Sequence, residues 1–235
     1  MKFCVLIPTY NEKDNITELI EELEEIFIEK DLNGHILIVD GKSPDGTGKI
    51  AQRLAKEYDN ITVIYQRKRG LGRAYNLGIR ACLRRGFDAL IQMDGDLSHD
   101  SRYIPLFLNK LKEDDVVIGS RYMEGGGVRG WGLRRRSISK IANVLTRTFL
   151  GLKVKDATSG YRAWRRRVLE SLDLSNASSG FSYQIETLYF CTQSGYKIGE
   201  IPISFWNRKK GRSKLGFRDV IGFLFSLVKL RSSGL

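Results

Sequence analysis

The stretch "ALIQMDGDLSHD", Ala89–Asp100, joins an apolar run to a cluster of acids. The run rises to Met93 and breaks into Asp94, Gly95 and Asp96, with His99 and Asp100 just beyond. In an extended chain, residues i and i+2 point to the same side. Asp94 and Asp96 could therefore aim both carboxylates at one point. Two like charges so placed repel unless a positive charge lies between them. A hard divalent cation such as Mg²⁺ meets that need, because it takes oxygen ligands and shares them with phosphates. Asp and Gly are also ordinary turn residues, so a solvated turn after a strand is the alternative reading.

Working outward, four similar apolar runs share the first half of the chain: Phe3–Pro8, His35–Asp40, Ile61–Gln66 and Asp115–Ser120. With Ala89–Asp94 they make five short runs rich in Val and Ile. Nearly continuous apolar runs suit parallel strands covered on both faces. Helical patterns alternate with them. The segment "DNITELIEELEEIFIEK" (14–30) puts Ile16, Leu19, Ile20, Leu23, Ile26 and Phe27 on one face. Others are expected near Thr47–Tyr58, Leu71–Arg85 and Ser101–Lys112. The alternation predicts an α/β fold with a Rossmann-like, mostly parallel sheet flanked by helices. In such sheets ligands bind beyond the carboxyl ends of the strands. Four polar or Gly-rich segments gather there: "PTYNE" (8–12), "DGKSPDGT" (40–47), "RKRGLGRAYN" (67–76) and "DGDLSH" (94–99). The Gly-rich 67–73 segment is read as a tight helix entry, and His99 as a polar loop residue.

The chain has 235 residues and a net charge of +12. Residues 1–120 carry 17 Lys/Arg against 20 Asp/Glu, whereas residues 121–235 carry 22 against 7. That asymmetry points the second half at nucleic acid, an anionic membrane or a phosphorylated substrate. Cys4, Cys82 and Cys191 are widely spaced and make no CxxC, so a disulfide framework is not expected and a reducing compartment fits. No signal-peptide pattern opens the chain. No run reaches the roughly 20 apolar residues that span a bilayer.

The second half changes character. A Gly- and Arg-rich loop (119–136) leads to "SISKIANVLTRTFL" (137–150), where Ile138, Ile141, Leu145 and Phe149 form a stripe flanked by Arg136, Lys140 and Arg147. That spacing serves a core-facing helix and an interfacial one alike. "DATSGYRAWRRRVL" (156–169) leads into a short helix, "GFSYQIETLYFCTQSG" (180–195) reads as another, and "KIGEIPISF" (197–205) as a strand. A second basic loop (206–220) precedes "VIGFLFSLV" (220–228), read as an interfacial helix.

The ordered set "PTYNE", "VDGKSPDGT", "MDGDLSH", "GSRY…GGGVRGWGLRRR", "TSGYRAW", "GEIPISF" and "NRKKGRSKLG" resembles the polyprenyl-phosphate mannosyl branch of glycosyltransferase family 2, the dolichyl-phosphate mannose synthases. The resemblance covers nearly the whole chain. It implies a GT-A catalytic domain over residues 1–215 and a C-terminal interfacial helix over 216–235. It implies that Pro8, Tyr10, Glu12 and Asp40 line the nucleotide pocket. Asp94 and Asp96 match the family's DxD-type motif for Mg²⁺ or Mn²⁺, with Ser98 assisting and Asp96 essential for transfer. Arg121, Arg135, Ser139, Arg208 and Lys214 match residues around the donor and lipid phosphates. One departure stands out: the family's second adjacent aspartate is here Gly41, which puts the base or ribose contacts at that position in question.

The implied reaction is inverting, metal-dependent transfer of mannose from GDP-mannose to dolichyl (polyprenyl) phosphate. A lipid phosphate is already anionic and needs a cationic cradle more than a general base. The implied setting is peripheral, on the cytoplasmic face of a membrane, with membrane-anchoring partner subunits as an added expectation. Two other readings stay open: a sister enzyme using a UDP-sugar such as UDP-glucose, and a basic nucleic-acid-binding protein. No nucleic-acid module is present in the sequence, and no nucleic-acid partner is expected.

Overall fold

The computed structural model describes residues 1–66, 70–172, 182–207, 227–228 and 230–232. Among the described residues nine strands are assigned: β1 (Phe3–Thr9), β2 (Gly34–Asp40), β3 (Ile61–Tyr65), β4 (Ala89–Gln92), β5 (Val116–Ser120), β6 (Gly127–Arg129), β7 (Arg162–Arg165), β8 (Ile198–Pro202) and β9 (Ser204–Trp206). The α-helices that accompany them among the described residues are α1 (Ile16–Glu29), α2 (Thr47–Glu57), α3 (Leu71–Arg84), α4 (Ile104–Lys110), α5 (Leu133–Leu150), α6 (Arg166–Ser171) and α7 (Tyr183–Gln193). The main sheet runs in the order β3-β2-β1-β4-β7-β5-β8. The pairings of β1, β2, β3 and β4 are parallel, as is β5 with β8. β7 is antiparallel to both β4 and β5.

Strand alternation explains why these runs are apolar throughout. On β1, Phe3, Val5 and Ile7 enter one core with Ile16, Leu19, Ile20 and Leu23 of α1 and Ala51 and Leu54 of α2. Cys4 and Leu6 enter the opposite core, with Ala74, Tyr75 and Ile79 of α3 and Val168 and Leu169 of α6. Both faces are therefore dry, and neither tolerates polar alternation. A third cluster joins Leu150, Leu152 and Val154 to Ile185, Leu188 and Tyr189 of α7, and to Leu227 and Leu230. The three cysteines are free and buried.

Several boundaries differ from the sequence reading. The chain leaves β4 at Gln92, so Asp94 and Asp96 sit in a turn and not on an extended strand end. The expected single strand over 197–205 is two, because Ile203 ends the pairing with β5 and β9 pairs instead with β6 in a small parallel sheet. α5 begins at Leu133, four residues earlier than the apolar stripe suggested, and draws the Arg134–Arg136 run into its first turns. The Gly70 hinge is as expected: its φ of +100° precedes α3 directly.

α5 is amphipathic in the reverse sense. Its buried residues are Asn143, Thr146 and Leu150. Asn143 donates from Nδ2 to the Lys155 carbonyl at 2.6 Å and accepts the Ala157 N–H at 2.9 Å. The apolar stripe faces out, with Ile138 55%, Ile141 58% and Leu145 51% exposed. Among the described residues, no helix is long and apolar enough to cross a membrane. The expected helix over 216–235 lies mostly outside the described residues. Its described end places Leu227 and Leu230 in the third cluster, while Arg231 Nη1 donates to the Phe149 carbonyl at 2.9 Å.

Candidate functional site

The carboxyl ends of β1 and β2 carry two loops that are laced together. The Asn11 N–H donates to Ser43 Oγ at 3.0 Å, Glu12 N–H to Thr47 Oγ1 at 2.9 Å, and Lys13 N–H to Asp45 Oδ2 at 3.1 Å. Asp40 ends β2 fully buried and accepts from Thr9 Oγ1 (3.0 Å), from Ser43 N–H (2.9 Å) and from Ser43 Oγ (2.6 Å). Pro8, Tyr10 and Glu12 are half-buried beside it. A Cβ on Gly41 would come within 3.2 Å of the Tyr10 ring, so the aromatic side chain covers the place where a second aspartate would start.

The turn after β4 carries Asp94, Asp96 and Ser98 past the end of the strand. Asp94 stays partly open, with its side chain 32% exposed. Asp96 is buried, and its Oδ1 accepts the Ser98 N–H at 3.1 Å. The Ser98 hydroxyl is buried without a hydrogen-bond partner among the described residues. Leu97 holds a left-handed φ of +60° to make the turn. Two carboxylates and a hydroxyl form an oxygen-only donor set, which suits a hard divalent cation. Among the described residues no three His, Cys, Asp or Glu side chains cluster as a metal site. A cation held here would draw its other ligands from water and from phosphate.

His99 is more than a loop residue. Its Nδ1 accepts the Asp94 N–H at 3.0 Å, which assigns the proton of the neutral ring to Nε2, 3.9 Å from Asp94 Oδ2. The ring stacks on Tyr161 at 4.6 Å and meets Phe205 edge-on at 5.3 Å. Burial pushes its pKa down; Asp94 and Asp96 oppose that, and Arg121 adds to it.

Arg121 follows β5 and is locked. Its Nε and Nη2 grip the two oxygens of Asp156 at 2.7 and 2.9 Å, and Nη2 also donates to Thr158 Oγ1 at 2.8 Å. Burial works against both charges, yet each outweighs it for the other: Arg121 is held above its ordinary pKa and Asp156 below. Asp94 also favours the Arg121 charge, which ties the basic cluster to the acidic turn. Two guanidiniums lie near Trp131, Arg135 at 4.0 Å from its ring centre and Arg121 at 6.0 Å. Arg135 Nη1 donates to Asn207 Oδ1 at 3.0 Å. Tyr122 OH donates to Ser139 Oγ at 2.8 Å, which places Ser139 on the same wall. Arg208 and Lys214 lie outside the described residues.

Sequence reasoning missed Asp156, Thr158 and Trp131. Asp156 reaches Arg121 across 35 residues, a distance no spacing rule covers, and Trp131 shows only as an aromatic in a Gly-rich loop. No sequence signal marked them, since the nearby strand β7, RAWR, carries an arginine at each end and no apolar period.

Comparison with known proteins agrees with this architecture. The family model for glycosyl transferase family 2 matches residues 4–173. A polyprenol monophosphomannose synthase of Mycolicibacterium smegmatis is 39% identical over 229 residues, 96% of this chain and 85% of the relative. An undecaprenyl-phosphate mannosyltransferase of Micrococcus luteus is 38% identical over 217 residues, 92% and 88% respectively. Among solved structures, glucosyl-3-phosphoglycerate synthase of Mycobacterium tuberculosis with Mn²⁺, uridine diphosphate and glucosyl-3-phosphoglycerate superposes with a TM-score of 0.69 at 18% identity, covering 99% of this chain and 79% of that one. Mannosyl-3-phosphoglycerate synthase of Rubrobacter xylanophilus gives the same TM-score at 18% identity, covering 99% and 73%. The α/β sandwich is the GT-A fold of these structures. The chain belongs to glycosyltransferase family 2 and is a glycosyltransferase.

Proposed function

We propose that the protein transfers mannose from GDP-mannose to a polyprenyl phosphate, such as dolichyl phosphate, with inversion at the sugar. The observation that carries this reading is the adjacency of the Asp94–Asp96 turn to a cationic wall of Arg121 and Arg135 around Trp131. The relatives at 38 and 39% identity, a polyprenol monophosphomannose synthase and an undecaprenyl-phosphate mannosyltransferase, support the choice of sugar and acceptor.

Asp94, Asp96 and the Ser98 hydroxyl would hold Mg²⁺ or Mn²⁺. Bound there, the ion supplies charge neutralisation for the diphosphate leaving group. Pro8, Tyr10, Glu12 and the loop pinned by Asp40 form the nucleotide side. Arg121, already fixed in angle by Asp156, presents its remaining edge to anionic oxygens, and Arg135 and Ser139 extend that surface towards the acceptor. Arg208 and Lys214 are assigned to it by resemblance alone. In the reaction, an acceptor phosphate oxygen forms a bond to the anomeric carbon while the bond to the β-phosphate oxygen breaks. GDP leaves with the electron pair. The acceptor brings its own negative charge, so no side chain has to remove a proton.

The outward stripe of α5, rimmed by Arg134, Arg136, Lys140 and Arg147, supports a membrane-surface setting. It joins the C-terminal segment as a docking element of this reading; of that segment's described residues, Leu227 and Leu230 pack in the third cluster and Val228 is exposed. The test is a competition among GDP-mannose, GDP-glucose, UDP-glucose and UDP-N-acetylglucosamine for labelling of dolichyl phosphate with Mg²⁺, with Mn²⁺ and with chelator. Metal-dependent labelling from GDP-mannose is expected. Labelling only from a UDP-sugar would reject the donor, and labelling unaffected by chelator would reject the metal role.

A further inference from the structure

A second group of buried polar atoms lies behind Asp94. Gln184 is the second residue of α7 and is 1% exposed. Neither its Nε2 nor its Oε1 makes a well-formed hydrogen bond among the described residues, although the Tyr75 hydroxyl lies near enough to feel the carboxamide. A buried carboxamide so weakly satisfied is costly, and such groups are retained where a ligand supplies better partners. The position of Gln184 is informative. A Cβ placed on Gly160 would lie 3.7 Å from Gln184 Nε2, 3.8 Å from Asp94 Oδ1 and 4.0 Å from His99 Cε1. Gly160 therefore leaves open one small space into which the carboxamide and the Asp94 carboxylate both look.

The space is built, not incidental. Arg162 on β7 is fully buried and donates to three carbonyls: Ser159 at 2.8 Å, Ala157 at 2.9 Å and Gln184 at 2.5 Å. One guanidinium thus fixes the 157–160 loop against the first turn of α7. Tyr75 and Tyr183 stack at 5.5 Å in the neighbouring core; the Tyr183 hydroxyl lacks a partner among the described residues, and the Tyr75 hydroxyl lies by the Gln184 carboxamide.

We propose that the Gln184 carboxamide, across the gap left by Gly160, binds a hydroxyl of the sugar being transferred and so contributes to sugar selectivity. The inference rests on the proposed function. A carboxamide both donates and accepts, as a hydroxyl does. An anion in the same place would meet the Asp94 carboxylate, and anions already have Arg121 and Arg135. A diphosphate engaged at Asp94 and Asp96 carries its sugar into this neighbourhood. Sites that hydrogen-bond a substrate hydroxyl discriminate strongly against donors lacking it.

The experiment uses the full-length chain, GDP-mannose and its 2-, 3-, 4- and 6-deoxy forms, with Gln184→Met as the variant of similar shape. For GDP-mannose, kcat/KM should fall by roughly 10- to 100-fold in the variant. For the deoxy donor that lacks the bound hydroxyl, the variant should match the parent within about twofold, because the interaction is already gone. Affinity for GDP, which has no sugar, should be unchanged. The melting temperature of the free variant should stay close to the parent's, because no well-formed hydrogen bond of the carboxamide is lost. Gln184→Leu, a second apolar variant of similar volume, guards against a packing defect peculiar to Met and should show the same donor pattern. An equal loss across every donor, or an equal loss of GDP affinity, would overturn the proposal. The parent enzyme is the separate arm. If it does not use GDP-mannose, the proposed function fails, and the same comparison on the deoxy series of the donor it does use still decides the role of Gln184.

Discussion

Replacing Asp156 by Asn keeps the shape of the side chain and removes its charge. In the folded protein this leaves Arg121, with its side chain 7% exposed, beside a neutral amide. Charge centres about 4 Å apart in an effective dielectric of about 20 attract by about 4 kcal/mol. Removing one partner of a buried pair costs about 3–5 kcal/mol. The Asn oxygen keeps part of the hydrogen bonding, so the expected loss is about 3 kcal/mol. With a urea dependence of about 3 kcal/mol per molar, the unfolding midpoint should fall by about 1 M. The uncompensated guanidinium should then bind anions more strongly, so added GDP with metal should raise the variant's midpoint more than the parent's. The double variant Arg121→Met with Asp156→Leu separates stability from function. It should recover most of the stability, as buried ion pairs replaced by apolar residues often do, yet transfer should stay lost. Equilibrium unfolding and the transfer assay give both readings. A midpoint shift below about 0.3 M for Asp156→Asn would refute the reasoning, as would full transfer by the double variant.

Asp96→Asn should reduce transfer by about 10³-fold or more while the protein still folds, checked by initial rates and circular dichroism. Arg135→Ala should raise the lipid-phosphate KM by about tenfold and change the GDP-mannose KM little; Trp131→Ala, which removes the surface Arg135 rests on, should repeat that pattern. Ile141→Asp with Leu145→Asp should weaken binding to anionic vesicles by about tenfold or more in a flotation assay without lowering the melting temperature, since both side chains face out. His35, beside Thr62 Oγ1 at 2.9 Å, has its imidazole pushed by burial from the ordinary 6.5 down to about 4, with Arg85 and Lys2 adding. The unfolded chain therefore binds the extra proton first. The contribution is complete above pH 6.5 and is lost as pH falls towards 4. After allowance for screening it is on the order of 1 kcal/mol, and His35→Gln should flatten the fall in stability between pH 7 and pH 5.

The parallel half of the fold was legible because β1, β2, β4 and β5 are apolar on both faces, a property that the sequence displays directly. β7 was not, because a four-residue antiparallel insertion carrying Arg162 and Arg165 has no apolar period to reveal it. The acidic turn was legible by type but not by geometry: Asp94 and Asp96 lie past the end of β4, and the chain beyond them is turned by a left-handed Leu97 and the Ser98 N–H donated to Asp96. The α5 stripe was visible, but its direction depended on Asn143 facing inward to meet the 155–157 backbone, with Thr146 buried and donating to the Ala142 carbonyl of its own helix, a tertiary fact. Asp156 and Gln184 were silent for the same reason, since their importance lies in partners far along the chain or absent from it.

The central claim is that a lipid phosphate oxygen accepts the sugar in the basic wall beside Asp94 and Asp96. The most direct measurement is a single reaction in which GDP-mannose and metal meet equal amounts of dolichyl phosphate, the corresponding free alcohol and 3-phosphoglycerate, with the label followed into each product. The account predicts label in the lipid phosphate alone. Label in the alcohol or in phosphoglycerate, with the lipid phosphate untouched, would contradict it.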